Sequence, residues 1–295
     1  VHPRSKPHQT LTGQKYFCRF LSWSFGVPIP EIKLVVFDWA GTTIDYGCQA
    51  PAGAFVEAFA RKGVSVSLAE AREPMGLHKK DHIRAMFGAE SVAEKWRLAT
   101  GRGWDETAVE ALYQEVTPLQ LEAVVRYGQL IPGVRECVAE LRARGLKIAG
   151  TTGYFHAAAA AVLEAARAQG YSPDFSICAD DVPAGRPAPW MIFRCMEALN
   201  IYPPSSVVKV GDTAVDIADG RNAGCWSVGV IDSSNEMGLT ATEFSTLTET
   251  EKVMRRETVY RRYAAAGAHA ALDALDELPS LLAEFNERLR NGERP

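Results

Sequence analysis

Two hydrophobic patterns alternate along the chain. Leu34 to Phe37 is an unbroken apolar run that stops at Asp38. Similar mainly apolar runs end in polar residues at Leu146–Gly150 before Thr151-Thr152, Phe175–Cys178 before Asp180, and Val207–Gly211 before Asp212. Trp226–Ile231 is a fifth. Short apolar runs bounded in this way read as strands of a parallel sheet covered on both faces. The segments between them carry apolar residues at helical spacing: Val134–Arg144 up to Gly145, the Ala-rich Phe155–Ala168 up to Gly170, Met191–Leu199 and Thr213–Ala223. Strands alternating with helices predict an α/β fold with a doubly wound, Rossmann-like parallel sheet.

The stretch after the first strand breaks this alternation. From Ala50 to about Arg126 no strand pattern occurs, and helices are expected at Pro51–Arg61, from Ser67, at His78–Met86, Ser91–Thr100 and Asp105–Val125. Ser67-Leu68-Ala69-Glu70 has the form of a capping box. The pattern predicts an all-helical cap, residues 50–126, inserted after the first strand into a discontinuous core of residues 31–49 and 127–295. An insert that leaves the chain just past Asp38 lies over the carboxyl edge of the sheet, where it can act as a lid. The tail from Thr248 to Leu289 reads as mainly helical. Residues 1–30 carry Arg4, Lys6, Lys15 and Arg19 but no acid and no long apolar segment. They read as a poorly ordered extension.

Composition narrows the function classes. A net charge of −4 over 295 residues argues against a general nucleic-acid binder. No apolar stretch approaches a membrane span. The six cysteines are scattered without a C-x-x-C pair, which suits a reducing cytoplasm rather than a zinc site or a disulfide framework.

The strand ends carry the candidate chemistry. Asp38, Thr152 and Asp212 follow three strands of one sheet, and the loop Val182–Pro189 adds Arg186. Parallel strands bring their carboxyl ends together, so these groups converge. One carboxylate suits a nucleophile, and a second shares a hard cation such as Mg²⁺ with it. A hydroxyl and an arginine suit phosphoryl oxygens. Asp216, one helical turn after Asp212, faces the site or orients its ligands. In this order Asp38, Thr152, Arg186 and Gly211-Asp212-Thr213-Ala214-Val215-Asp216 resemble the motifs of the haloacid dehalogenase superfamily.

One position departs from that superfamily. Its phosphatases usually carry D-x-D, with the second Asp as general acid for an oxygen leaving group; here the residue is Ala40. A carbon leaving group needs an electron sink instead, and an imine on a lysine provides one. Lys79 and His82, three apart in Met75-Gly76-Leu77-His78-Lys79-Lys80-Asp81-His82, share a helix face. Taken alone, the lysine pair also reads as a solvated basic face.

These stretches, with Thr151-Thr152-Gly153-Tyr154 and Asp180–Pro187, closely resemble the phosphonoacetaldehyde hydrolase (phosphonatase) family from about Ile32 to the last helices. His78 stands where an apolar residue is associated with that family. The resemblance implies C–P cleavage of a small phosphonate through a Lys79 imine and an Asp38 aspartyl phosphate. It implies Mg²⁺ on Asp38, the Ala40 carbonyl and Asp212, with Asp216 supporting. Thr152, Arg186, Met75, Cys48, Gly76 and Tyr154 are then substrate contacts, and His82 moves protons. A Lys79 pKa depressed by burial and by Lys80 and His78 is expected. The resemblance also implies a homodimer through the cap, for which Trp96, Trp104 and the apolar helices of the insert are candidate contacts. A phosphatase or phosphomutase of the same superfamily, acting on a small phosphate ester, is the alternative.

Overall fold

The computed structural model describes residues 31–295; the extension expected at residues 1–30 lies outside the described residues. The elements run β1 (Leu34–Asp38), α1 (Gln49–Arg61), α2 (Leu68–Arg72), α3 (Lys79–Gly88), α4 (Glu90–Thr100), α5 (Glu106–Tyr127), α6 (Val134–Ala143), β2 (Lys147–Thr152), α7 (His156–Ala168) and β3 (Phe175–Cys178). They continue with α8 (Trp190–Leu199), β4 (Val207–Gly211), α9 (Ala214–Asn222), β5 (Trp226–Val230), α10 (Ala241–Thr246), α11 (Glu249–Ala265), β6 (Ala270–Leu272) and α12 (Leu278–Arg290).

All strand pairs are parallel, in the order β3-β2-β1-β4-β5-β6. β1 is central and wholly buried. Its alternate residues serve opposite cores. Val35 and Phe37 pack with residues of α6, α7 and α12, whereas Leu34 and Val36 pack with Met191, Ile192 and Cys195 of α8. Sheet coverage on both faces is what makes these strands apolar throughout. The register places Asp38 beside Thr151 and Phe37 beside Val210, so Asp38 and Asp212 end neighbouring strands at one edge. The strand order changes direction beside β1, which is where open α/β sheets form their ligand crevice.

Helices α1 to α5 enclose a core of their own, built from Phe55, Phe59, Ile83, Met86, Phe87, Val92, Val109, Leu112 and Val116 among others. Trp96 belongs to this core: only 4% of it is exposed, and its ring meets Phe59 and Phe87 edge-on. The expectation that Trp96 serves a subunit interface is therefore corrected; its indole fills the helical core. Trp104 is part-exposed and stacks on Phe87. The capping box at Ser67 is present, with the Ser67 and Glu70 side chains each satisfying the other's backbone N–H.

Two boundaries differ from the sequence pattern in a way that matters. β2 extends to Thr152 because Thr151 and Thr152 continue the ladder against Ile177 and Cys178. The tail contains a sixth strand, Ala270–Leu272, paired with β5. Among the described residues no helix is long and apolar enough to cross a membrane.

Candidate active site

Asp38 is the last residue of β1 and is buried at the edge of the sheet. Its Oδ1 receives Arg186 Nη2 at 2.7 Å. The loop after β1 turns at Gly41 with φ +80°, and a β-carbon there would collide with the Asp212 carboxylate and the Cys48 sulfur. Glycine therefore permits both the backbone conformation and the close approach of Asp212. Asp212 Oδ2 accepts the Asn235 backbone N–H at 2.8 Å and the Cys48 thiol at 3.2 Å.

Arg186 is a hub of buried charge. Nη1 meets Asp216 Oδ1 at 3.0 Å, Nε faces Asp219 Oδ2 at 3.5 Å, and Nη2 also reaches the Thr151 carbonyl and hydroxyl. Lys209 Nζ lies 2.8 Å from Asp216 Oδ1, and the Thr213 hydroxyl donates to Asp216 Oδ2 at 2.6 Å. Asp216 thus holds the two cationic groups in place. Burial alone would raise its pKa, but the Arg186 and Lys209 charges outweigh burial and hold it at about 2.

Asp38 and Asp212 shift the other way. Burial raises Asp38 despite the attraction of Arg186. Burial, then the charge of Asp38, pushes Asp212 well above the carboxylate range. Four buried carboxylates (Asp38, Asp212, Asp216 and Asp219) face two buried cations (Arg186 and Lys209). With all four ionised the excess would be two negative charges, and burial together with this mutual repulsion is what raises Asp38 and Asp212. Carboxylate oxygens of Asp38, Asp212 and Asp216 lie within 4.8 Å of one another, and Ala40 lines the same pocket. This oxygen-only donor set, whose carboxylates need a positive charge beside them to ionise together, fits a hard divalent cation.

The pocket is small, about 290 Å³ of empty space, and mixes two chemistries. Asp38, Ala40, Thr152, Gly153, Arg186, Asp212 and Thr213 form its sheet side. Cys48, Pro51, Met75, Gly76, Lys79 and Tyr154 form the rest. Every substrate-contact residue expected from the sequence is in this wall. Thr152 Oγ1 also accepts the Tyr154 backbone N–H at 3.1 Å, which sets the turn after β2.

Lys79 opens α3 and is only 3% exposed. Its Nζ lies 5.1 Å from the Tyr154 ring centre and 5.6 Å from that of Phe55. Among the described residues no carboxylate lies within ion-pair distance of it. Burial, aided by the charge of Arg186, lowers its pKa to about 8 against the opposing pull of Cys48 and Asp38. The expected depression is present and burial, the first of its expected causes, leads it; the contribution expected from Lys80 and His78 is corrected. Lys80 turns away to Glu110 at 2.6 Å, and His78 turns to Asp180.

His82 lies under the pocket rather than in its wall. Its ring stacks on Phe55 at 3.8 Å, and Nε2 donates to the Ala71 carbonyl at 2.9 Å. Nδ1 is buried and unpartnered. Burial, then the charge of Lys79, holds its pKa well below the usual imidazole value, so the ring is neutral. Tyr154 keeps an unpartnered hydroxyl, and burial holds it in the phenol form.

Two contributors to this site escaped the sequence reading. A lysine in the apolar run Val207–Val210 must find a buried partner; that signal marks Lys209. Asp219 follows Asp216 at i+3 and therefore shares its helix face.

The haloacid dehalogenase-like hydrolase family matches residues 32–224. Curated relatives named phosphonoacetaldehyde hydrolase include one from Syntrophobacter fumaroxidans, 43% identical over 90% of this chain and 95% of its own length. Another, from Bacillus cytotoxicus, is 44% identical over 88% of this chain and 97% of its own. The chain belongs to the phosphonoacetaldehyde hydrolase family. A crystal structure of a phosphonoacetaldehyde hydrolase-like protein from Oleispira antarctica superposes with TM-score 0.88 at 39% identity, covering 90% of this chain and 96% of that one. Membership in the phosphonoacetaldehyde hydrolase family makes this chain a hydrolase. It also fits a site in which an amine and a carboxylate share one small pocket.

Proposed function

We propose that the chain hydrolyses the carbon–phosphorus bond of phosphonoacetaldehyde to acetaldehyde and phosphate. The observation that carries this reading is Lys79 in one pocket with Asp38, with Ala40 where an ester phosphatase of the superfamily carries its acid. Phosphate esters need that acid to protonate an alkoxide. A carbon leaving group needs the lysine instead.

The neutral amine of Lys79 condenses with the aldehyde and releases water, giving an imine whose nitrogen takes up one proton from solvent. Asp38 attacks phosphorus, the P–C bond breaks, and its electron pair enters the imine to leave an enamine. Water hydrolyses the aspartyl phosphate. Protonation of the enamine carbon restores the imine, and a second water frees acetaldehyde and Lys79. Arg186 holds Asp38 in place and brings positive charge to the phosphonate oxygens, with Thr152 beside them. Met75, Cys48, Gly76 and Tyr154 shape the aldehyde end. His82, stacked on Phe55 behind the pocket, is the residue the family resemblance assigns to proton transfer near the imine. Mg²⁺, when bound by Asp38, Asp212 and the Ala40 carbonyl, supplies charge neutralisation for the phosphonate. The work is divided between a sheet body, residues 31–49 and 127–295, and a helical cap, residues 50–126, that closes over it.

An acetaldehyde-coupled assay with phosphonoacetaldehyde and Mg²⁺ tests this reading. Turnover abolished by EDTA and restored by Mg²⁺ supports it. Turnover of phosphate monoesters alone would favour the phosphatase alternative.

The pH dependence is a second test. Only the neutral amine attacks, so kcat/KM should rise about tenfold per pH unit up to about 8 and then level off. An unperturbed lysine would keep the slope to roughly pH 10.4. Initial rates from about pH 6 to 9.5 distinguish the two.

The reading includes a cytoplasmic homodimer joined through the cap. Leu121 and Val125 leave apolar surface exposed on α5, beside Leu119 and Pro118. Sedimentation equilibrium of wild type and Val125→Glu checks the interface.

A further inference from the structure

The turn that carries Lys79 is fastened to the sheet body by the residue just before it. His78 caps α3, and its Nδ1 accepts the Lys80 backbone N–H at 3.3 Å. A ring nitrogen that accepts carries no proton, so in the neutral ring the proton is on Nε2. Nε2 lies 3.2 Å from Asp180 Oδ1 and donates to it. The other oxygen of Asp180 accepts the backbone N–H of His156, the first residue of α7, at 3.0 Å. The His156 ring faces that same oxygen at 3.3 Å and places its other nitrogen 2.7 Å from Asp181. A continuous path thus runs from α3 through His78 and Asp180 to α7.

The backbone seam along this path is tight. A β-carbon on Gly153 would sit 2.7 Å from the Leu77 carbonyl oxygen, and one on Gly185 would sit 3.3 Å from His78 Cβ. The Met75–Lys79 turn therefore rests directly on the loops after β2 and β3. The His78–Asp180 bond lies on this seam, one residue from the amine. It needs no protonation of His78, because the neutral tautomer already has the required polarity.

We propose that the His78–Asp180 hydrogen bond is a latch that holds the α3 turn closed over the sheet, with His78 the positioning residue for Lys79. Its kinetic consequence rests on the proposed imine chemistry; its mechanical consequence does not. With the latch cut, the turn opens more often, substrate is held less well, and Lys79 becomes accessible to reagents in solution.

His78→Asn separates the latch from the helix cap. Asparagine is a good N-cap residue but is too short to span to Asp180. The expected result is a KM raised roughly three- to tenfold, the worth of one hydrogen bond, with kcat within about twofold and an unchanged melting temperature. Labelling of Lys79 by trinitrobenzenesulfonate, read by peptide mass, should accelerate by a similar factor. Asp180→Ala should raise both at least as much, since it also frees the His156 backbone N–H, and the double variant should match Asp180→Ala, because the two substitutions cut one shared bond. Wild-type KM and labelling rate in His78→Asn, or additive effects in the double variant, would overturn the latch. Faster labelling in a protein that does not turn over phosphonoacetaldehyde would sustain the latch and overturn the proposed function.

Discussion

Lys79→Arg should abolish phosphate release from phosphonoacetaldehyde, with a loss in kcat on the order of 10⁴–10⁶-fold. The substitution is conservative in everything except the chemistry. Arginine keeps the positive charge beside the rings of Phe55 and Tyr154, where Lys79 Nζ lies at 5.6 and 5.1 Å from the centroids. It also keeps a long apolar stem for a position that is 3% exposed. What it cannot do is shed a proton and condense with an aldehyde, because a guanidinium stays charged in proteins. The Lys79 amine sits in a pocket that lowers its pKa to about 8, chiefly through burial, so near neutral pH a useful fraction is free base. Borohydride added with acetaldehyde should fix label on Lys79 in wild type and none in the variant. A variant retaining a tenth of wild-type turnover would remove the imine from the mechanism.

The parts legible in the sequence were those with a local signature. The run Leu34–Phe37 ending in Asp38 identifies a central strand because burial on both faces demands unbroken apolarity. The sixth strand was not legible. Ala270-Ala271-Leu272 is too short for a period and lacks β-branched residues, and it exists because β5 offers it a free edge. Trp96 shows a second limit. Its composition signals a large apolar group but not which surface receives it, and packing against Phe59 and Phe87 decided that. In the site, Asp38, Lys79, Arg186 and Asp212 could be named from strand ends and motifs. Of their electrostatics only the depression of Lys79 by burial could be expected; the charged partners could not. Lys80, adjacent in sequence, has its charge drawn off by Glu110, whereas Arg186, 107 positions away, helps depress Lys79. Through-space distance sets a Coulomb interaction, and the sequence does not supply it.

Asp38→Asn should separate the two half-reactions. The amide is nearly isosteric, and its oxygen can still accept from Arg186 Nη2, now 2.7 Å from Asp38 Oδ1. Arg186 keeps Asp216 and Asp219 as ion partners, so the buried guanidinium is not left uncompensated. The amide is a far weaker nucleophile toward phosphorus, and phosphate release should fall by about 10⁴-fold or more. Imine formation should survive. The negative charge of Asp38 is one of the influences that raise the Lys79 pKa, second to Cys48 and opposed by the larger effect of burial. Removing it lowers that pKa further and enlarges the neutral fraction at pH 7. Trapping of acetaldehyde on Lys79 by borohydride should therefore match or exceed wild type while phosphate release is absent. Phosphate released at wild-type rate would remove Asp38 as nucleophile. Loss of trapping together with phosphate release would mean that the carboxylate is needed before phosphorus is attacked, which contradicts the proposed order of steps.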